Sequence, residues 1–162
     1  ASSSSIIAFT GLTNSYRAYM LEYDSVYLSS LYQNLVMQVS TNNGSTYLST
    51  GYARSLVSVD SNSVVANFSA SDSFFYLGAL NGFSNASTNT GSGIIYFFAP
   101  NTSGLNPSFT QTTVTRDSVN ATSYVAGSML NTTTTAVNAF KLYSSSGTIT
   151  AGNFRLYGLV NA

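Results

Sequence analysis

Apolar and polar residues alternate through most of this chain, most regularly near its end. From Ala139 to Tyr143, Phe140 and Leu142 fall on one side and Lys141 and Tyr143 on the other. From Asn153 to Leu159, Phe154 and Leu156 oppose Arg155, Tyr157 and Leu159. A period of two sends successive side chains to opposite faces, so each run reads as a strand with one face on a core. The turn-rich segment between them holds Gly147 and Gly152. Gly147 supplies a backbone free to take positive φ, and the whole stretch is predicted to fold as a closing β-hairpin.

The same pattern recurs upstream. Ile6–Phe9 is a short first strand behind a polar leader, Ala1–Ser5. In Tyr16–Leu28, Tyr19, Leu21 and Tyr23 oppose Ala18, Met20 and Glu22. Met, Leu and Glu favour helix there, but the tyrosines and the lack of a cap favour strand. Leu31–Ser40 runs into Asn42-Asn43-Gly44, a tight turn, with Thr46–Tyr52 expected as the partner strand. Ser55–Val59 and Ser63–Phe68 form a second hairpin about Asp60-Ser61-Asn62, and Ser73–Leu77 follows. Gly93–Ala99 holds an unbroken apolar run, Ile94 to Phe98, which predicts a strand buried on both faces. Phe109–Thr115 and Tyr124–Met129 are weaker strands. About ten short strands with turns every 8–12 residues and no convincing helix predict an all-β antiparallel sandwich, jelly-roll-like, forming one domain over residues 1–162.

Composition changes the picture in one respect. Charged residues make up 6% of the 162, against about 25% in an ordinary soluble domain, and net charge is zero. Solvation falls to 29 Ser, 19 Thr and 16 Asn. A neutral, charge-poor surface keeps copies apart weakly, which favours a permanent assembly or an extracellular setting. Neutrality also removes the basic footprint expected of a nucleic-acid binder. No apolar run approaches the roughly 20 residues needed to span a bilayer, so no membrane insertion is expected. The leader lacks the regions of a signal peptide, and the missing initiator Met points to a processed chain or an excerpt.

Candidate chemistry is sparse. With no His and no Cys, the usual general base, the strongest nucleophile and the softer metal ligands are absent, and no cofactor is expected. Glu22 and Asp24, two apart on a strand, share a face about 7 Å apart at the backbone, and paired carboxylates are the machinery of glycosidases. Two solvated charges near a strand end is the preferred reading, and no enzymatic activity is expected. Six Asn-x-Ser/Thr sequons (Asn43, Asn67, Asn85, Asn101, Asn120, Asn131) match the about five that composition alone supplies, so they say nothing of glycosylation. Twelve Tyr and ten Phe serve strands first. Those near turns, Tyr47, Tyr52, Tyr32 and Phe83, are the better candidates for stacking on a sugar. Of the two longest polar loops, Ser84–Ser92 and Asn101–Pro107, the first joins Phe83 to the amides of Asn85 and Asn89 as a possible glycan contact. Arg155, Tyr157 and Leu159 form a second, partly apolar face of the last strand, the candidate interface of a homo-oligomer.

Ser146-Gly147, Gly152 and the closing Phe154-x-Leu156-Tyr157-Gly158 resemble the final hairpin of small β-sandwich domains in tailed-phage structural proteins. Tyr19…Tyr23, Leu35–Ser40 and Asn42-Asn43-Gly44 are similar to the early strands of those domains. The likeness covers both ends and leaves the middle unmatched. It implies a virion protein, a tail fibre, appendage or capsid decoration, serving assembly and host-surface adhesion. It also implies self-association, a trimer by preference, contacts with other virion proteins and a host glycan as partner. A secreted carbohydrate-binding module or adhesin domain is the alternative. An enzyme resting on Glu22 and Asp24 stands third.

Overall fold

The computed structural model describes residues 1–78, 81–119 and 121–160. Twelve strands and no helix appear among the described residues. They are β1 (Ser2–Ser4), β2 (Ile7–Thr10), β3 (Ala18–Leu28), β4 (Leu35–Ser40), β5 (Tyr52–Asp60), β6 (Val64–Asp72), β7 (Phe75–Tyr76), β8 (Gly91–Phe98), β9 (Ser108–Arg116), β10 (Thr122–Asn131), β11 (Ala139–Ser144) and β12 (Ile149–Leu159). They form an eight-stranded sheet, ordered β1-β12-β3-β8-β9-β10-β5-β6, and a four-stranded sheet, ordered β2-β11-β4-β7. Every pairing is antiparallel, and the two sheets pack face to face as a β-sandwich. The all-β sandwich expected from the alternation is therefore present.

Aromatic rings join the sheets. Phe9 stacks on Phe140 (4.9 Å between centroids), Phe140 meets Phe97 at a tilt (4.7 Å), Phe97 meets Phe109 edge to face (4.7 Å), Phe109 meets Phe75 at a tilt (4.8 Å) and Phe75 meets Tyr52 edge to face (4.6 Å). Each such pair adds about 0.5–1.5 kcal/mol beyond the burial of its rings. The chain of contacts crosses from the small sheet to the large one and back, so neither sheet keeps its inner face without the other.

Several local expectations need correction. The closing hairpin is not one. β11 pairs with β2 and β4 in the small sheet, while β12 pairs with β1 and β3 in the large one. The connecting residues 145–148 arch between sheets, with Gly147 at φ 78° against Ser29, whose hydroxyl accepts from Thr148 N at 2.9 Å. Leu142 and Ile149 on either side of the arch are both fully buried. Side-chain stacking across a core and hydrogen bonding along a sheet share one period of two, so alternation alone does not separate them.

Residues 46–51 of the expected strand Thr46–Tyr52 form a loop. Its turn is as expected, with Asn43 at φ 58° and Gly44 at φ 86°. Asn42 Oδ1 accepts from Thr46 N at 2.9 Å, and Leu48 N reaches Val39 O at 2.9 Å without a strand ladder forming. Tyr52 then opens β5 in the other sheet. The leader is not free either, because Ser2–Ser4 pairs with β12. β8 is buried on one face only, with Tyr96 and Phe98 exposed at 37% and 44%. The four-stranded sheet covers the inner face of the eight-stranded one, and nothing among the described residues covers its outer face. The sequences read as weaker strands are the long central strands β9 and β10. Of the sequons, Asn120 lies outside the described residues.

Candidate functional site

Register places the outward side chains of the large sheet in straight rows. One row runs Tyr157, Met20, Tyr96, Thr110, Ser128, Ser55, Phe68, and the next Arg155, Glu22, Ile94, Thr112, Ala126, Val57, Ala66. In the middle of the sheet the inward residues are buried and the outward ones are not, as in β9, where the two alternate.

The alternation breaks once in β3. Tyr19, Leu21 and Tyr23 point inward, then Val26 and Leu28, so one residue is added between Tyr23 and Val26. Ser25 sits at φ 56° in this bulge, and the opposing β12 carries its own irregularity between Ile149 and Asn153. A bulge re-aims the side chain beside it. Here that side chain is Asp24, whose Oδ1 accepts from Asn153 Nδ2 at 2.9 Å and whose Oδ2 accepts from Arg155 at 2.7 Å. Arg155 also lies 3.8 Å from Glu22 Oε1, and Tyr157 donates to Glu22 Oε2 at 3.3 Å. The hydrogen bond from Asn153, then that from Arg155, holds the Asp24 carboxyl below the usual carboxylate range.

Beside these carboxylates the bulge leaves a shallow groove of about 330 Å³. Glu22 and Asp24 form one rim, Ser92, Ile94 and Thr112 the floor, and Val114 and Tyr124 the other rim. The Tyr124 ring is 45% exposed. The two rims stand three strands apart, about 14 Å. The arrangement offers carboxylate acceptors for hydroxyl groups, hydroxyls on the floor, and an aromatic face for an apolar ring surface. It suits a short polyhydroxylated chain lying across the strands. As a general acid Asp24 is poorly placed, since such an acid needs a raised pKa and this one is lowered. Among the described residues no three carboxylate, His or Cys groups gather as metal ligands.

The sequence-derived contact residues fare unevenly. Phe83 is fully buried, its ring packed against Gly78 and Gly91, and offers no face to a ligand. Tyr52 is fully buried too, donating to Leu48 O at 2.9 Å and accepting from Val39 N at 3.0 Å. Asn89 is buried, and its backbone N–H closes the loop on Ala86 O at 3.0 Å. These three cannot form the expected surface, because a turn-adjacent aromatic or amide is also what seals the end of a sandwich. Asn85 is exposed, without its expected companions. Tyr47 is half-buried on the far side of the molecule, beneath the Lys141 ammonium at 4.6 Å. Tyr32 is 63% exposed, at φ 60°.

Arg155, Tyr157 and Leu159 do share the outer face, but the first two are tied to Glu22 and Asp24. Missed entirely were Tyr124, Ser92 and Thr112. Their signal was the outward phase of β8, β9 and β10, which becomes informative only once strand order brings the three together.

No family model matches the chain, and neither does any curated protein or solved structure. No helix among the described residues is long and apolar enough to cross a membrane.

Proposed function

We propose that the chain is a non-enzymatic structural β-domain of a virion, a phage tail fibre, appendage or capsid decoration, serving assembly and host-surface adhesion. One observation carries the reading. The outer face of the eight-stranded sheet is wide, covered by nothing among the described residues, and almost uncharged beyond β3 and β12. Tyr96, Phe98, Val57, Val114, Tyr124 and Phe68 are each at least 37% exposed on it. A surface of that kind marks an interaction site, and zero net charge opposes no self-association. The resemblance of the chain ends to tailed-phage domains supplies the context.

The groove favours a second reading beside it, a secreted carbohydrate-binding module or adhesin domain. Both readings place a neutral glycan at Glu22, Asp24 and Tyr124 rather than in the Ser84–Ser92 loop. A glycan array with the wild-type chain and with Tyr124→Ala tests the adhesive part. Binding that survives Tyr124→Ala removes the groove from the proposal. Imaging of the native particle or secreted product that holds this chain decides between virion and secreted settings.

A further inference from the structure

We infer that two copies of this chain pair through the outer faces of their large sheets, the Phe68 ring of each filling a trough in the other. The inference rests on the assembly role proposed above and names its surface. Phe68 stands on β6, at the sheet edge, and is 82% exposed. It is the most exposed large apolar side chain of the described residues. Its neighbours along the row are small, Ser55, then Ser128, then Thr110. These residues floor a trough of about 410 Å³, walled by Phe98 and Leu130. The lining is apolar, and the trough is roomier than one aromatic ring. A projecting ring and a hollow of matching chemistry thus lie side by side on one surface.

Their separation fixes the symmetry. From Phe68 on β6 to the trough centre between β10 and β9 is two to three strand spacings, about 10–14 Å. Because both lie on one face and in one row of the register, a copy that covers the trough also covers the ring. A two-fold axis parallel to the strands, near β5, then satisfies both contacts twice. A closed ring of three would need ring and trough on different faces. The same axis overlays β6, β5, β10 and β9 of one copy on those of the other, roughly 20 Å by 30 Å. That covers about 600 Å² per partner, the low end of specific interfaces, so the dimer belongs in the micromolar range.

Charge offers no obstacle. Among the described residues, β8, β9, β10, β5 and β6 turn one charged side chain to this face, Arg116 at its far end. Arg54 turns the other way, over the Tyr76 ring at 4.2 Å. Val57, Val59, Val64 and Val114, exposed at 38–71%, surround the contact and lose water on pairing. Glu22 and Asp24 lie on β3, beyond the overlap, while Val114 and Tyr124, the opposite rim of the groove, lie on β9 and β10 within it, so pairing and a ligand compete for that rim.

Sedimentation equilibrium of the 162-residue chain up to about 100 µM tests the inference, in the range expected for an interface of this size. The expected result is a reversible dimer that Phe68→Glu and Ser128→Arg each weaken at least tenfold, both variants keeping the wild-type circular dichroism. Tyr157→Ala, outside the overlap, should dimerise as wild type. The chain has no cysteine, so mixing Phe68→Cys with Ser128→Cys and oxidising mildly should give a cross-linked heterodimer. A wild-type monomer throughout, or a dimer indifferent to both substitutions, overturns the inference. A trimer overturns the two-fold pairing while leaving the assembly role standing, and a glycan array with Phe68→Glu, a substitution outside the groove, reports on adhesion apart from pairing.

Discussion

Removing the carboxylate of Asp117 should cost this fold more than any other single polar substitution on its surface or in its core. The side chain is fully buried. Oδ1 accepts from Val119 N at 3.0 Å and Ala121 N at 2.9 Å, and Oδ2 from Asn81 Nδ2 and Ser123 Oγ, both at 3.1 Å. Its own N–H donates to Ala121 O at 2.9 Å. One side chain therefore closes the β9–β10 turn and pins the segment after β7 against it. Asp117→Ala leaves four donors without a partner. Hydrogen bonds to a charged group contribute about 1.5–3 kcal/mol each, but water entering the vacated space recovers much of this. The net cost should be about 3–5 kcal/mol, the range of the largest single-site effects.

For a chain of this length that lowers the melting temperature by about 6–20 °C. Asp117→Asn keeps the shape and two acceptor contacts, sets an amide against Asn81, and should cost about 1–2 kcal/mol. Urea unfolding followed by tyrosine fluorescence gives both values. An Asp117→Ala loss under about 1 kcal/mol would refute the idea that this carboxylate organises the turn.

Further outcomes follow from other groups. Burial drives the hydroxyls of Tyr23 and Tyr52 well above their ordinary value, so both stay neutral in the fold and ionise when unfolded. Their contribution is complete below about pH 10 and falls as pH rises beyond it, so urea midpoints measured from pH 8 to 11 should hold and then drop. The lowered carboxyls of Asp24 and Asp60 act in the opposite direction. What they add is present above about pH 4 and lost as pH falls through their lowered values, and Arg155→Ala should move the Asp24 carbon resonance titration upward. Gly93→Ala would press a methyl to within 2.5 Å of the Tyr23 hydroxyl and 2.6 Å of Thr112 O, costing about 1–3 kcal/mol in a thermal melt.

The fold class was legible because each strand carries its own period of two, and ten of the twelve strands fall within or overlap runs read from that period. The pairing partners were not. Phe140, Leu142, Phe154 and Leu156 all face one core, whether β11 and β12 lie side by side or on opposite walls. The added residue in β3 also left no mark, since Asp24-Ser25 is as polar as any loop or outward pair. Site residues chosen for lying near turns, Phe83 and Tyr52, proved to be core, because the ends of a sandwich need sealing as much as its middle. Glu22 and Asp24 were read to the correct face. Their partners Asn153, Arg155 and Tyr124 come from strands more than 90 residues further on, a distance that only strand order closes.

β12 lies between β1 and β3, so the strand made last holds together two made within the first 28 residues. Until it is synthesised, β3 lacks one of its two neighbours and β1 has none. Long-range pairing of this kind makes folding slow and late. The large sheet cannot present a finished outer surface on a partly made chain. The pairing face of β9, β10, β5 and β6 has all its partners by Asn131, so it is the β1–β12–β3 edge, with Glu22 and Asp24, that is completed late.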